Sequence, residues 1–338
     1  MKEKKICVEE AFFPVKLCYL YWGENVDEEE DWFCRQEHHY PPANVQICPR
    51  HFAVVNMDKK YVYQCVTDRY ELVTNRDAVN VADAIAQIVF RKQRMMDFCN
   101  KTVKFEGVNN AQCCMEFWDE EEFFVEIDTD KWLPFVQIVN SYNSTATLSY
   151  ELGFRICDAD IKITFDEISI KIKDAHNKGV LKMLPSELIE TAQKKGLDKM
   201  ESIKNDFVRK MNILNNAFMS TKDIMPLALK LFELDYNKGN ASKETCRNLK
   251  RAVDAGLREH FAESNMYYFV RLMAAIISEP LYFPLRVSMA QKYESKIGKL
   301  IDDLVRYLQG RNQGDNLKTF IGEQYYQMAK QIEADFRG

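Results

Sequence analysis

Residues 135–172 have the sequence FVQIVNSYNSTATLSYELGFRICDADIKITFDEISIKI. Short apolar runs alternate here with polar turns such as Asn140-Ser141-Tyr142-Asn143-Ser144, a pattern typical of antiparallel strands joined by tight connections. Upstream, strands are predicted at Lys101–Glu106 and Gln112–Trp118, on either side of a hairpin turn at residues 107–110. Strands that follow one another without intervening helices favour an α+β fold over an alternating α/β fold.

Helical periodicity appears twice along the chain. A helix is predicted from Asp77 to Cys99, where apolar residues recur on one face and Thr74 or Asn75 can cap the first turn. After Pro185, predicted to open a helix, the helical pattern continues almost to the end. We therefore expect an antiparallel β-sheet with a packed long helix in residues 1–180, followed by an all-helical domain in residues 181–338.

The other predicted elements complete this layout. Strands are predicted at Phe12–Trp22, Tyr61–Val66, Tyr70–Thr74, Phe123–Ile127, Phe135–Ser141, Ala146–Cys157, Ile161–Phe165 and Ile168–Ile172. Helices are predicted near residues 197–219, 222–236, 242–262, 264–278, 286–309 and 316–336. Glycines and prolines punctuate the helical segments, and no repeat of solenoid period is found.

Composition narrows the class of protein. The chain has 338 residues, is 46% hydrophobic and 29% charged, and has a formal net charge of −5, which is typical of a globular protein with a substantial core. It lacks the run of about 18 apolar residues that a membrane helix needs, and its N-terminus makes a poor signal peptide. Most of its ten cysteines lie between apolar neighbours. We therefore expect a cytoplasmic protein with reduced thiols and no membrane partner.

Charge is divided unevenly along the chain. Residues 1–170 hold 18 basic and 30 acidic residues, a net charge of −12, whereas residues 171–338 hold 28 and 21, a net charge of +7. Regions of opposite sign either meet different partners or attract each other.

Several enzyme motifs are missing. The sequence contains neither Gly-x4-Gly-Lys-Ser/Thr nor Gly-x-Gly-x2-Gly, and neither Gly-x-Ser-x-Gly nor His-Glu-x2-His. These motifs supply phosphate-binding loops, activated serines and zinc-binding helices. ATPases, kinases, dehydrogenases and serine hydrolases are therefore disfavoured, and no cofactor is expected.

Two cysteines and two histidines form the best candidate metal site. Three residues separate Cys34 from His38, and two separate Cys48 from His51. Sulfur and imidazole ligands at such spacings can hold tetrahedral zinc. In the alternative interpretation, the cysteines are core thiols and the histidines, His39 included, lie at the surface. Zinc is therefore kept as an alternative and not as the expectation.

Acidic residues are clustered in two places. The first cluster, in a predicted exposed loop, contains Asp27, Glu28, Glu29, Glu30 and Asp31. The second cluster, just before a predicted strand, contains Glu120, Glu121 and Glu122. An extended strand would also place four acids on one face: Glu122, Glu126, Asp128 and Asp130. Such carboxylates either bind divalent cations in a metal-dependent enzyme or protect an edge strand from pairing.

Basic residues interleaved with aromatic residues mark the C-terminal half. The candidates for DNA contacts are Arg155, Arg247, Lys250, Arg251, Arg258 and Arg271. The rings of Tyr267-Tyr268-Phe269 would stack on bases, although their spacing suits core packing equally well. Arg155 lies in an apolar strand and, if buried, needs a carboxylate, carbonyl or phosphate partner. It either pins a turn to the sheet or marks an anion site.

Three short stretches together resemble a known family. Residues 70–78, YELVTNRDA, are similar to its strand-to-helix motif, residues 139–144, VNSYNS, to its Asn-Ser-His-Asp-Gly turn, and residues 155–157, RIC, to its Arg-Val-Val-Cys strand. The family is the phage/plasmid-like domain of unknown function 932, and the resemblance covers roughly residues 60–180. The matched positions include Asn75, Asn140, Ser141, Arg155 and Cys157. The resemblance implies a gene carried by phages, plasmids or integrated elements in a bacterial host cell, without an established reaction.

Three functional hypotheses follow. The first is a non-enzymatic mobile-element accessory protein that binds single-stranded or duplex DNA through its basic helical half, in replication or recombination, and self-associates through its sheet. The second is a counter-defence or host-interaction protein whose acidic surface binds a basic host protein. The third is a metal-dependent nucleic-acid enzyme that uses the acidic strand or the Cys/His set.

Overall fold

Antiparallel strands occupy the first half of the chain and helices most of the second. The computed structural model describes residues 6–22, 35–37, 40, 45–120, 125–172, 175–235, 239, 241–260, 263–278, 282–310 and 316–337. Within these ranges the strands form an eight-stranded sheet and a three-stranded sheet, and every regular element from Val180 onward is helical. The predicted α+β class with a helical C-terminal region is confirmed.

The larger sheet contains the predicted meander. Its strands are β1 (Ile6–Cys7), β5 (Asn100–Glu106), β6 (Gln112–Trp118), β7 (Val125–Ile127), β8 (Asp130–Ser141), β9 (Ser149–Ile156), β10 (Lys162–Thr164) and β11 (Ile170–Lys171). The order is β1-β5-β6-β8-β9-β10, with β7 beside β8 and β11 beside β9. The β5–β6 hairpin closes as predicted, because Glu106 pairs with Gln112 and Gly107 takes a φ of 79° in the turn.

The smaller sheet has the order β2-β3-β4, formed by β2 (Val15–Trp22), β3 (Gln46–Asn56) and β4 (Tyr61–Thr67). The sequence predicts β2 and β4 but not the central strand. Polar residues and Pro49 in its first half obscure the buried run at residues 52–55. Pro49 is tolerated because the register between β3 and β2 is interrupted between Ile47 and Phe52.

The predicted helix from Asp77 to Cys99 is wrong in length. It consists of two short helices, α1 (Asn75–Val81) and α2 (Asp83–Phe90), which meet at Ala82. α2 ends where Arg91 takes a left-handed φ of 55°, a conformation that closes a helix.

The start of α1 follows the prediction. The backbone N–H of Asp77 donates to Thr74 Oγ1 at 3.1 Å, and the N–H of Thr74 donates to Asp77 Oδ2 at 3.0 Å, which is a capping box. The strand predicted at Tyr70–Thr74 is wrong, because this segment makes only an isolated bridge between Tyr70 and Asn177.

The C-terminal helices lie close to their predicted positions. They are α3 (Val180–Lys194), α4 (Met200–Asn215), α5 (Thr221–Leu231), α6 (Lys243–His260), α7 (Met266–Ser278), α8 (Val287–Gln309), α9 (Leu317–Ile321) and α10 (Glu323–Arg337). α3 begins before Pro185, because a turn at residues 177–179 starts it and Val180 N donates to Asn177 O at 3.0 Å. Gly322, with a φ of 103°, divides the last predicted helix. Among the described helices, none has both the length and the apolar composition to span a membrane.

The chain divides into two compact units. The first contains Met1–Trp118, Val136–Glu151 and Ile168–Asp198, and the second contains Asp119–Phe135, Leu152–Glu167 and Lys199–Gly338. This partition differs from a boundary at residue 180. α3 belongs to the first unit, where it packs on α1 and α2, and β7 and β10 belong to the second, where α4 packs on β7 and α8 on β10.

Two glycines allow backbones to meet inside the second unit. A Cβ atom on Gly153 in β9 would lie 1.9 Å from the carbonyl oxygen of Ile163 in β10. A Cβ atom on Gly298 in α8 would lie 2.3 Å from the carbonyl oxygen of Thr164. Since Cβ atoms do not approach backbone this closely, both contacts require glycine.

Candidate functional site

Four of the six basic candidates lie on one helix, α6. The helix buries Cys246, Leu249 and Val253 and packs within the second unit against α7 and α10. Its opposite face carries five basic side chains, which we call the cationic stripe: Lys243, Arg247, Lys250, Arg251 and Arg258. Lys243 is not among the candidates predicted from the sequence. It precedes Arg247 by four residues and therefore lies one helical turn away from it.

The ion pairs of the cationic stripe differ in length and in exposure. Arg247 and Lys243 approach Asp335 of α10 at 3.7 Å and 4.0 Å, and the side chains of Arg247 and Asp335 are 44% and 41% exposed. Lys250 contacts Asp254, one turn along the same helix, at 2.6 Å. Arg258 is exposed. The stripe therefore presents cationic groups to solvent.

Arg271 is placed differently from the stripe. Its Nε lies 2.8 Å from Asp130 Oδ2, and the same oxygen accepts a hydrogen bond from the Tyr267 hydroxyl at 2.6 Å. Trp132 Nε1 donates to that hydroxyl at 2.9 Å. Arg271 thus adds an ion pair to a hydrogen-bonded cluster inside the second unit, and this pairing makes it a poorer candidate for DNA contact than the stripe.

The aromatic run beside Arg271 is core rather than a stacking platform. Tyr267 and Phe269 are fully buried and Tyr268 nearly so. The Tyr268 hydroxyl donates to Asp128 Oδ2 at 2.6 Å, and burial raises the pKa of Tyr268 to about 12. Of the two interpretations of these rings, core packing is the one that the structure confirms.

Tyr267→Phe is expected to lower the free energy of unfolding by about 1–2 kcal/mol, because the Trp132 N–H and the Asp130 carboxylate each lose a buried partner. Urea denaturation would measure the change. Tyr282→Phe is the matched control, since Tyr282 is 44% exposed and an exposed change should stay within about 0.5 kcal/mol. Equal effects in the two variants would contradict the cluster.

The acidic strand is not an array of carboxylates on one face. Asp128 lies in the β7–β8 turn at a φ of 53°, since Ile127 pairs with Asp130 around it. The hairpin directs Asp128 and Asp130 to Tyr268 and Tyr267, while Glu126 is exposed. For the described acids, Glu126, Asp128 and Asp130, the predicted shared face is therefore wrong. Of the acidic candidates, Glu120 is exposed, whereas residues 27–31, 121 and 122 lie outside the described residues.

Arg155 is buried and has an acidic partner, as required of a buried arginine. Its side chain is 1% exposed, and Nη2 lies 3.6 Å from Asp160 Oδ1 in the β9–β10 turn. On the neighbouring strand, Lys162 lies 3.4 Å from Glu294 of α8. Arg155 therefore pins this turn to the sheet, and its burial makes it a poor direct contact for DNA. Burial also raises the pKa of the nearby Cys157 thiol.

Asn75 and Asn140, two matched positions of the family-like stretches, meet inside the first unit. Asn140 Nδ2 donates to Asn75 Oδ1 at 2.9 Å and to the carbonyl of Val73 at 3.0 Å. Asn75 Nδ2 donates to Ala11 O at 2.9 Å and lies 3.0 Å from Cys113 Sγ. Both asparagines are almost completely buried. The pair holds the start of α1 to β8.

The rest of this region is also structural. The backbone N–H of Asn75 donates to the Tyr142 hydroxyl at 2.9 Å. Tyr142, which stands where the resembled family has histidine, is fully buried. Ser141 Oγ donates to Asn143 Oδ1 at 3.1 Å, and the backbone N–H of Thr145 donates to the same oxygen at 3.3 Å, so Asn143 satisfies a backbone group of the turn. Burial raises the pKa of Cys113 to about 12, so this thiol stays protonated near neutral pH.

The candidate zinc ligands are only half described. Cys34 and His38, with His39, lie outside the described residues. Cys48 is a free, partly buried thiol, and His51 Nδ1 lies 3.0 Å from the carbonyl of Pro49. Within the described ranges, no group of three or more His, Cys, Asp or Glu side chains is placed to hold a metal ion. The zinc site stays untested.

Comparisons of the chain with protein-family models, with curated proteins and with solved structures found no match. The resemblance to the phage/plasmid-like family therefore stays a prediction. Of its matched positions, Asn75, Asn140 and Ser141 belong to the first unit, and Arg155 and Cys157 to the second.

Proposed function

We propose that the protein is a non-enzymatic nucleic-acid-binding protein, of the kind a mobile element uses in replication or recombination, and that the cationic stripe of α6 is its contact surface. The observation that carries the proposal is the placement of basic groups on one solvent-facing side of a single helix. From Lys243 to Arg258 the stripe extends for about 22 Å at 1.5 Å per residue. A surface of this length can follow several phosphates of one strand.

The exposure of the Arg247–Asp335 ion pair supports this assignment. An exposed ion pair contributes about 0–1 kcal/mol to stability, so a phosphate can replace Asp335 beside Arg247 at little cost. Phosphates that bind the stripe would release condensed counterions, which drives association at low salt. Arg155 and Arg271 are left out of the proposed surface, because each is held by an acidic partner inside the second unit.

The triple variant Lys250→Ala/Arg251→Ala/Arg258→Ala is expected to weaken DNA binding and to flatten its salt dependence. Each lost phosphate contact should reduce the slope of log K against log[salt] by about 0.9 on duplex DNA and about 0.7 on single strands. The total reduction should therefore be about 2–3. Fluorescence anisotropy with labelled single-stranded and duplex oligonucleotides at several salt concentrations would measure it.

The matched control removes three exposed basic residues from other helices: Lys194, Arg209 and Arg306. This second triple variant changes the net charge equally, so it separates a local contact surface from a general charge effect. It should keep the parental salt slope. An unchanged slope in the α6 variant, or equal losses in both, would refute α6 as the contact surface.

A further inference from the structure

A cleft with both polar and apolar lining lies within the first unit, and none of the candidate contact residues discussed above lines it. Its volume is about 450 Å³, and it is bordered by the end of β4, by the turn after β8 and by the segment that precedes α3. Ser144, from the family-like turn, lines it together with Arg69, Tyr70 and His176.

The lining of the cleft favours an anion. The described residues that line it supply one guanidinium, that of Arg69, and no carboxylate. Thr67 and Thr147 add exposed hydroxyls. In the described part of the chain, neither these hydroxyls nor the guanidinium has a hydrogen bond or an ion pair. A guanidinium and hydroxyl donors that line one cleft, with no carboxylate among its described lining residues, are suited to a phosphate group.

Two aromatic rings that stack on each other line the same cleft, and we call this pair the aromatic wall. The centroids of Tyr70 and His176 lie 4.8 Å apart with an angle of 7° between the planes. His176 Nδ1 donates to the carbonyl of Glu71 at 3.2 Å, and burial lowers the pKa of His176, so the ring is neutral near pH 7. Its Nε2 is then an acceptor. The bridge between Tyr70 and Asn177 fixes the two segments that carry the rings.

We propose that this cleft binds a nucleoside phosphate, with the phosphate at Arg69 and the base against the Tyr70–His176 wall. An aromatic wall beside a cation provides for both parts of such a ligand, since every base has a face that can stack and the phosphate pairs with arginine. The ligand is either a free nucleotide or the phosphorylated end of a strand. This inference does not depend on α6, because the cleft belongs to the first unit and α6 to the second.

Isothermal titration of the full chain with AMP, with adenosine and with inorganic phosphate would test the cleft. AMP should bind at least about tenfold more tightly than either fragment, since the two contacts act together. Arg69→Ala should weaken AMP at least about tenfold, and Thr147→Val, an exposed and conservative change, should weaken it less. Lys182→Ala is the control, because Lys182 is exposed on α3 and does not line the cleft.

A second pair of probes separates the two sources of the ligand. Short oligonucleotides with and without a 5′-phosphate are compared in the parent and in Arg69→Ala. If AMP binds and Arg69→Ala weakens its binding, the ligand is a free nucleotide. If the 5′-phosphate strengthens oligonucleotide binding and Arg69→Ala abolishes this increase, the ligand is a strand end. The proposal is overturned if AMP does not bind and a 5′-phosphate does not strengthen the binding of an oligonucleotide. It is also overturned if Lys182→Ala weakens AMP binding as much as Arg69→Ala does. If only the α6 variants lost DNA binding, the AMP and 5′-phosphate results would not change.

Discussion

Gly153→Ala is expected to destabilise the second unit by about 4 kcal/mol or more, enough to unfold many domains. The added Cβ atom would lie 1.9 Å from the Ile163 carbonyl oxygen and 2.8 Å from the Thr164 Cα. Both atoms are backbone, so no side-chain rotation can relieve the overlap. β9 and β10 would have to separate, and the turn that Arg155 pins would move with them.

Urea denaturation followed by circular dichroism would measure this loss, and limited proteolysis would serve if the variant does not fold. Gly310→Ala is a suitable control, because it has a single neighbouring backbone oxygen, at 3.3 Å. The control should change stability by less than about 1 kcal/mol. A Gly153→Ala variant as stable as the control would mean that β9 and β10 do not pair at this register.

Asn75→Ala is expected to cost about 3 kcal/mol in the first unit. The substitution removes the acceptor of the Asn140 amide and the donor that serves Ala11 O and Cys113 Sγ. Each buried polar group left without a partner costs about 1–3 kcal/mol. By contrast, Asn212→Ala on an exposed face of α4 should stabilise the protein slightly, by about 0.5 kcal/mol, through helix propensity.

A double-mutant cycle tests whether the asparagines act as a pair. If the Asn140–Asn75 hydrogen bond exists, Asn75→Ala and Asn140→Ala together should cost about 1 kcal/mol less than the sum of the single losses. Strictly additive losses, or an Asn75→Ala variant no less stable than Asn212→Ala, would contradict the buried network.

Local signals in the sequence predict local structure well here. Thr74 and Asp77 specify the start of α1 because a capping box involves only neighbours in the chain. Gly107 similarly marks the β5–β6 turn because the turn needs a positive φ. The central strand β3 escapes prediction because its first half is polar and contains Pro49, which the sheet accommodates only through an interrupted register.

Long-range partners explain the remaining errors. Tyr267 reaches Asp130 across 137 residues, and nothing in the spacing of either residue specifies the other. The sequence does not show which basic side chains pair with a carboxylate in the folded protein. Arg271 and the α6 residues are therefore equal candidates for DNA contact when judged from the sequence alone. Helical spacing alone would have added Lys243 to the stripe, because that inference needs only the one helix.

The second unit is built from segments that are not contiguous in the chain, and this has an evolutionary consequence. α4 and α8 pack on β7 and β10, which are encoded upstream of residue 180. A genetic exchange with a junction near that residue would give the helices foreign strands with the wrong side chains beneath them. We therefore expect the two parts of the gene to have been inherited together, with new sequence gained at loops rather than by shuffling of halves.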